Sequence, residues 1–291
     1  MATPAEGMLS DICGSDLFNS VSKTLKYDLF SASRFEDAVD IVVAISEHVI
    51  VPIATMMICV YFIINIMEKM SNENFTWEQL GRLLAMLLVG VFMIENSFEI
   101  LTKLYDIGIE LVDLTVKKLG TGSESNADVN VALDAYKQMK EGKSGIMKAL
   151  WDILMMFVLL FPWLVSWIMR LVVKVICYSR MIEVLLRAAF SPLALSDFFQ
   201  NGIQGAGWRW LKNFFAVCLQ GVVIMSISLL YSALLGGIIE SELLAAGQDG
   251  GKLWDFGLFN YCGVYLALMA SAVMLMFRSL SLSKEILGTG G

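Results

Sequence analysis

The residues best able to do chemistry lie in one stretch, LLRAAFSPLALSDFFQNGIQGAGWRWLKNFF, residues 185 to 215, and just before it. Arg180, Glu183 and Arg187 are spaced i, i+3, i+7, so they share one helix face and can neutralise each other. Pro192 removes a backbone donor and biases Ser191 away from helix, and Gly202, Gly205 and Gly207 permit a reversal. Arg209 stands between Trp208 and Trp210, where a guanidinium beside indoles can make a cation–π contact. Tryptophan and arginine are also the residues that most often anchor interfaces. This is the chemistry of a hinge or a partner surface, not of a reaction.

Catalytic and cofactor signatures are missing elsewhere. GKS at 142–144 invites a phosphate-loop reading, but Lys137 stands where that motif needs glycine, and no strand precedes it. The five cysteines are scattered, form no C-x-x-C, and mostly lie in apolar runs where a thiol behaves as a small hydrophobe. The single histidine, His48, is read as structural. No enzyme activity, metal or cofactor is expected.

The elements that position the break are long apolar runs. Of 291 residues, 57% are hydrophobic and 17% charged, with a mean hydropathy of +0.68. A soluble domain is nearer half apolar and a quarter charged. The expected class is an all-α polytopic membrane protein with about five transmembrane helices plus an interfacial or re-entrant helical hairpin. The net charge of −7 and pI of about 4.9 leave no basic footprint for gripping nucleic acid. The N-terminal MATPAEGMLSDICGSD has no basic stretch before an apolar core, so no cleavable signal is expected.

Residues 1–40 form an N-terminal segment in which Leu17, Val21, Leu25 and Leu29 recur one helical turn apart. Such an amphipathic helix suits a membrane surface, a neighbouring subunit or the ends of the spans. Residues 41–115 hold two spans, Ile41 to Met67 and one from about Trp77 to Ile94. Periodicity then continues with Glu95, Glu99 and Lys103 on a polar face. One uninterrupted helix of about 40 residues, roughly 60 Å long, is expected there. Glu99 and Lys103 make a favourable i,i+4 pair, and Glu95 with Glu99 an unfavourable one. Residues 116–145 are an extracytoplasmic loop. Residues 146–291 hold the third span (146 to 173), the broken segment 180–210, and spans at Leu211–Ile239 and Trp254–Phe277, then a short tail.

An isolated charge at mid-bilayer costs about 2.5–3.5 kcal/mol, so the broken segment is either interfacial or re-entrant and buried against protein. Cations cluster around it, at Arg170, Lys174, Arg180, Arg187, Arg209 and Lys212, which by the positive-inside rule turns it to the cytoplasm. Five crossings then put the N-terminus and the 103–146 loop outside and the C-terminus inside. Ser228, Ser232 and Gly236 on one span, and Gly263, Ala267 and Ser271 on the last, form small-residue stripes for close helix approach, within the chain or between subunits.

The order of features is similar to the TrbL-like conjugal transfer proteins, the polytopic inner-membrane component of type IV secretion systems. AFSPLALSDFF (189–199), a tryptophan at 208 and LKNFFAVCLQGVVIMSISLLY resemble that family's core block. Carried over residue by residue, the resemblance singles out Pro192, Gly205, Trp208, Phe214, Gln220 and Gly221. It implies a homo-oligomeric ring, with a pentamer among its sizes, acting as platform or channel for DNA–protein complexes or pilus assembly. The implied partners are other membrane subunits and ATPases of the machine, a pilus or stalk subunit outside, the passing DNA–protein complex and the bilayer. Two alternatives stand beside it. A transporter or channel of another class would usually show an internal repeat and paired ionisable residues deep in its spans. A phage-type membrane structural protein would need neither a stalk nor a broken segment.

Overall fold

The computed structural model describes residues 4–13, 16–25, 30, 35–71, 76–119, 133–134, 137, 145–197, 205–238 and 256–288. Among them there is no strand, and the chain is an all-α polytopic membrane protein. Its helices are α1 (Pro4–Cys13), α2 (Asp16–Leu25), α3 (Glu36–Ile45), α4 (Val51–Met70), α5 (Trp77–Glu95), α6 (Ser97–Leu119), α7 (Gly145–Ala189), α8 (Ser191–Ser196), α9 (Ala206–Ile238), α10 (Phe256–Phe277) and α11 (Ser279–Ile286).

Four helical stretches are long and apolar enough to cross a membrane: Glu36–Met70, Trp77–Glu95, Gly145–Ala189 and Ala206–Ile238. A fifth is reached by counting the end of α10 with α11, which are bent by 54°. Four of the five expected spans match these in place, the third running on past its expected end at 173 to Ala189, and the last, expected at Trp254–Phe277, reaches the required length only together with α11.

The first span joins α3 to α4 through one π-helical turn, Ser46–Ile50. Pro52 explains the widening: it has no N–H to return to the preceding turn, and its ring crowds the carbonyl four residues back. The Val51 amide bonds instead to Ser46 O, five residues back. Glu47 and His48 sit in this turn with exposed side chains.

The expected single helix through the second span and its stalk is two helices. The break is Asn96, at φ −98° and ψ 13°. Its side-chain amide donates to Phe92 O at 2.8 Å, and its backbone N–H donates to the same carbonyl at 3.1 Å. An asparagine that captures a backbone carbonyl offers the chain an alternative to the helical ladder.

The chain divides into two compact units, each assembled from three stretches. The first comprises Met1–Lys26, Val112–Tyr178 and Val222–Ser279. Its core packs Trp151, Met155 and Leu159 of α7 with Ile224 and Met225 of α9 and Tyr265 and Met269 of α10. Ile12, Val21 and Leu25 are buried in the same core, and Trp163 Nε1 donates to Asp11 Oδ2 at 3.1 Å. The amphipathic N-terminal helix thus spends its apolar face inside its own chain. Leu29 lies outside the described residues, and so does the side chain of Leu17.

The second unit comprises Tyr27–Leu111, Ser179–Gly221 and Leu280–Gly291. Its first hairpin is antiparallel: Ala54 and Ile58 of α4 meet Ile94 of α5, with Tyr61, Phe62, Leu87 and Val91 around them. Leu101 and Tyr105 of α6 pack with Met181 and Val184 of α7 and Phe214 and Val217 of α9.

Candidate functional site

The break after Ala189 is held by polar groups on α7 and α9 within the second unit. Arg180 is 3% exposed, and its charge is not met by Glu183. Its Nε donates to Val217 O and its Nη2 to Cys218 O, each at 3.1 Å. Gly221 makes room for it: a Cβ there would come within 2.8 Å of the guanidinium carbon. Burying a guanidinium is tolerable where its donors find acceptors, and two helix carbonyls accept from it here. Gly108 of α6 also lies close to α9, since a Cβ there would stand 3.1 Å from Cys218 Cβ.

The expected trio is therefore a pair and a separate cation. Glu183 Oε1 accepts from Arg187 Nη2 at 2.6 Å and Nε at 3.1 Å, an i,i+4 pair that is partly exposed. With that carboxylate engaged by Arg187, Arg180 turns the other way, into α9.

Pro192 was expected to push Ser191 out of helix. The helix instead stops one residue earlier, at Phe190 (φ −93°, ψ 7°), and Pro192 sits in the first turn of α8, where its missing donor costs nothing. Ser191 Oγ donates to Ala188 O at 2.8 Å and Ser196 Oγ to Leu193 O at 2.7 Å. Ser191, Pro192, Leu195 and Ser196 are buried, and α8 packs against the π-helical turn, α4 and α5. Asp197 Oδ2 accepts from the Gly207 amide at 3.0 Å, which caps the start of α9 with a carboxylate. Gly205 and Gly207 are buried, and Gly202 lies outside the described residues.

The tryptophan cluster is rearranged for a geometric reason. Trp208, Arg209 and Trp210 lie on a helix, where adjacent side chains diverge and residues four apart meet. Lys212 Nζ, not Arg209, lies over the Trp208 ring, 5.6 Å from its centroid. Trp210 stacks on Phe214 at 5.8 Å, Phe214 is fully buried, and Arg209 is exposed. Lys212 was named from the sequence only as one of the cations around the break, and Gly108 and the Val217 and Cys218 carbonyls were not singled out. Spacing four from Trp208 would have found Lys212, but the others carry no local signal.

The remaining candidates fall in different places. Gln220 and Ser228 are buried, and Ser228 Oγ donates to Ile224 O at 3.0 Å. Ser232 and Gly236 are half-buried. Gly263, Ala267 and Ser271 on α10 are all exposed, so the stripe is not covered among the described residues. Glu95 is exposed at the end of α5, and Glu99 and Lys103 form an exposed ion pair at 2.6 Å on α6, across the Asn96 break from it.

A family model described as TrbL/VirB6 plasmid conjugal transfer like protein matches residues 25–192, more than half of the 291 residues. The chain belongs to that family. No curated protein and no solved structure matches the chain. The family match covers the first hairpin, α6, α7 and the start of α8. Of the residues carried over by resemblance, Pro192 lies within it, whereas Gly205, Trp208, Phe214, Gln220 and Gly221 lie beyond it. TrbL/VirB6 membership and the apolar helices together make this a multi-pass membrane component of a conjugal transfer system.

Proposed function

We propose that the protein is a non-enzymatic subunit of an oligomeric platform or channel in the cytoplasmic membrane of a bacterium. It would serve transfer of DNA–protein complexes or assembly of a pilus, with energy from separate ATPases. The family match over residues 25–192 carries this reading. The exposed Gly263, Ala267 and Ser271 stripe supports self-association, because small residues let helix backbones approach closely in lipid. The cations around the break favour a cytoplasmic position for it, reachable by the machine's ATPases. Burial of α8 against the first hairpin favours the re-entrant over the interfacial form of the break, since non-helical backbone at membrane depth must be covered by protein.

Arg209 offers an exposed contact beside the break, and Arg209→Ala tests the partner surface. Normal membrane levels and oligomer size with DNA transfer reduced at least tenfold are expected in a mating assay. Unchanged transfer would reject the surface. Normal transfer from a donor whose own copy is deleted in frame would reject the whole reading.

A further inference from the structure

Helix α7 carries one apolar seam along its exposed side. Met147, Leu154, Phe161, Ile168, Val175 and Ile182 recur every seven residues, and Leu150, Phe157, Leu164, Leu171 and Tyr178 stand three places after the first five. Each of these side chains is 44–69% exposed. Alternating steps of three and four are the spacing of the a and d positions of a coiled coil. The charges of the same stretch, at Asp152, Arg170, Lys174 and Arg180, all fall at other positions. The opposite side of the helix serves its own chain, with Trp151, Met155, Leu159, Val173 and Cys177 buried in the first core.

Lipid cannot cover the whole seam. From Met147 to Ile182 it takes about 36 residues, or roughly 54 Å of helix. The hydrocarbon is about 30 Å thick, enough for about 20 residues of an upright helix and about 26 at a tilt of about 40°. At least about ten residues of the seam therefore stand outside the hydrocarbon, at one end or the other. Their apolar side chains are left uncovered by this chain, and a contiguous apolar face in water is a surface for protein.

We infer that α7 helices of neighbouring copies of this chain pack on one another in parallel along this seam, which rests on the oligomeric reading above and names its contact. Knobs at a and d are completed by the holes of a helix with the same repeat, and another copy brings that helix. Copies inserted the same way round hold their α7 helices parallel. Equal positions then meet at equal heights, so the part of one seam that leaves the lipid meets the same part of the next. The area is sufficient. Large apolar side chains of roughly 200 Å², about half exposed, supply roughly 1,000 Å² per copy, against about 800 Å² from each partner in a standard interface.

The test is disulfide cross-linking of single cysteines in a cysteine-free full-length chain that still supports transfer, mildly oxidised in its own membrane at native expression. L171C and V175C, both in the seam, should give several times more homodimer than K174C beside it or M56C on the exposed face of α4. Seam yields no higher than those of M56C would overturn the α7 contact, and so would adducts with a different protein. The size of the unoxidised complex separates the two readings. An oligomer of unchanged size without seam cross-links would sink the seam alone, whereas a monomer would sink the oligomeric reading with it.

Discussion

The first hairpin and α9 look alike by hydropathy and differ in what covers them. In their most apolar stretches, 61% of α9 is buried against 17% of Glu36–Met70 and 17% of Trp77–Glu95. The polar groups follow the cover. On α4, Thr55 and Asn65 bond back to carbonyls of their own helix, at 2.8 and 3.0 Å. Toward α9, a neighbouring helix sends a buried guanidinium. A membrane helix can host a charge where protein supplies its acceptors, and elsewhere it must close its own hydrogen bonds. The hairpin is therefore left largely uncovered by its own chain, and α9 is mostly covered.

That contrast is easiest to break at Gly221. Gly221→Ala drives a methyl into the Arg180 head and should cost about 2–3 kcal/mol, through lost charge-assisted bonds and overpacking. Removing the head should remove the conflict, so Arg180→Met should recover most of the loss when combined with Gly221→Ala. Thermal unfolding of the detergent-solubilised wild type, both singles and the double reads the cycle. Strictly additive losses would mean that the two residues do not act on each other.

A smaller effect is expected one turn along α7. Glu183→Gln breaks a partly exposed pair, for which about 1 kcal/mol or less is usual. A loss as large as that at Gly221 would mean that a partner covers the pair.

The smallest effect belongs to the hairpin. Met56 is 69% exposed, so Met56→Ala should change stability by less than about 0.5 kcal/mol. The same assay sharpens the comparison, because a much larger loss would place a neighbouring subunit, not lipid, against α4.

Much of this was legible in particular residues. Pro192 marked the break to within two positions, because proline acts on its own neighbours. The Glu99–Lys103 and Glu183–Arg187 pairs were legible because i,i+4 contacts are local. Asn96 was missed because apolar periodicity runs across it, and its bond to the preceding turn is no marker, since Asn65 makes the same bond inside an unbroken α4. The partner of Arg180 was missed because its acceptors are backbone carbonyls 37 and 38 positions away, which no side-chain pattern marks.

The sequence by itself determined the membrane class and the place of the four long apolar spans, since each depends on a sum over adjacent residues. Only the tertiary structure decided which helices are covered and what Arg180 holds. Those depend on where distant parts of the chain meet.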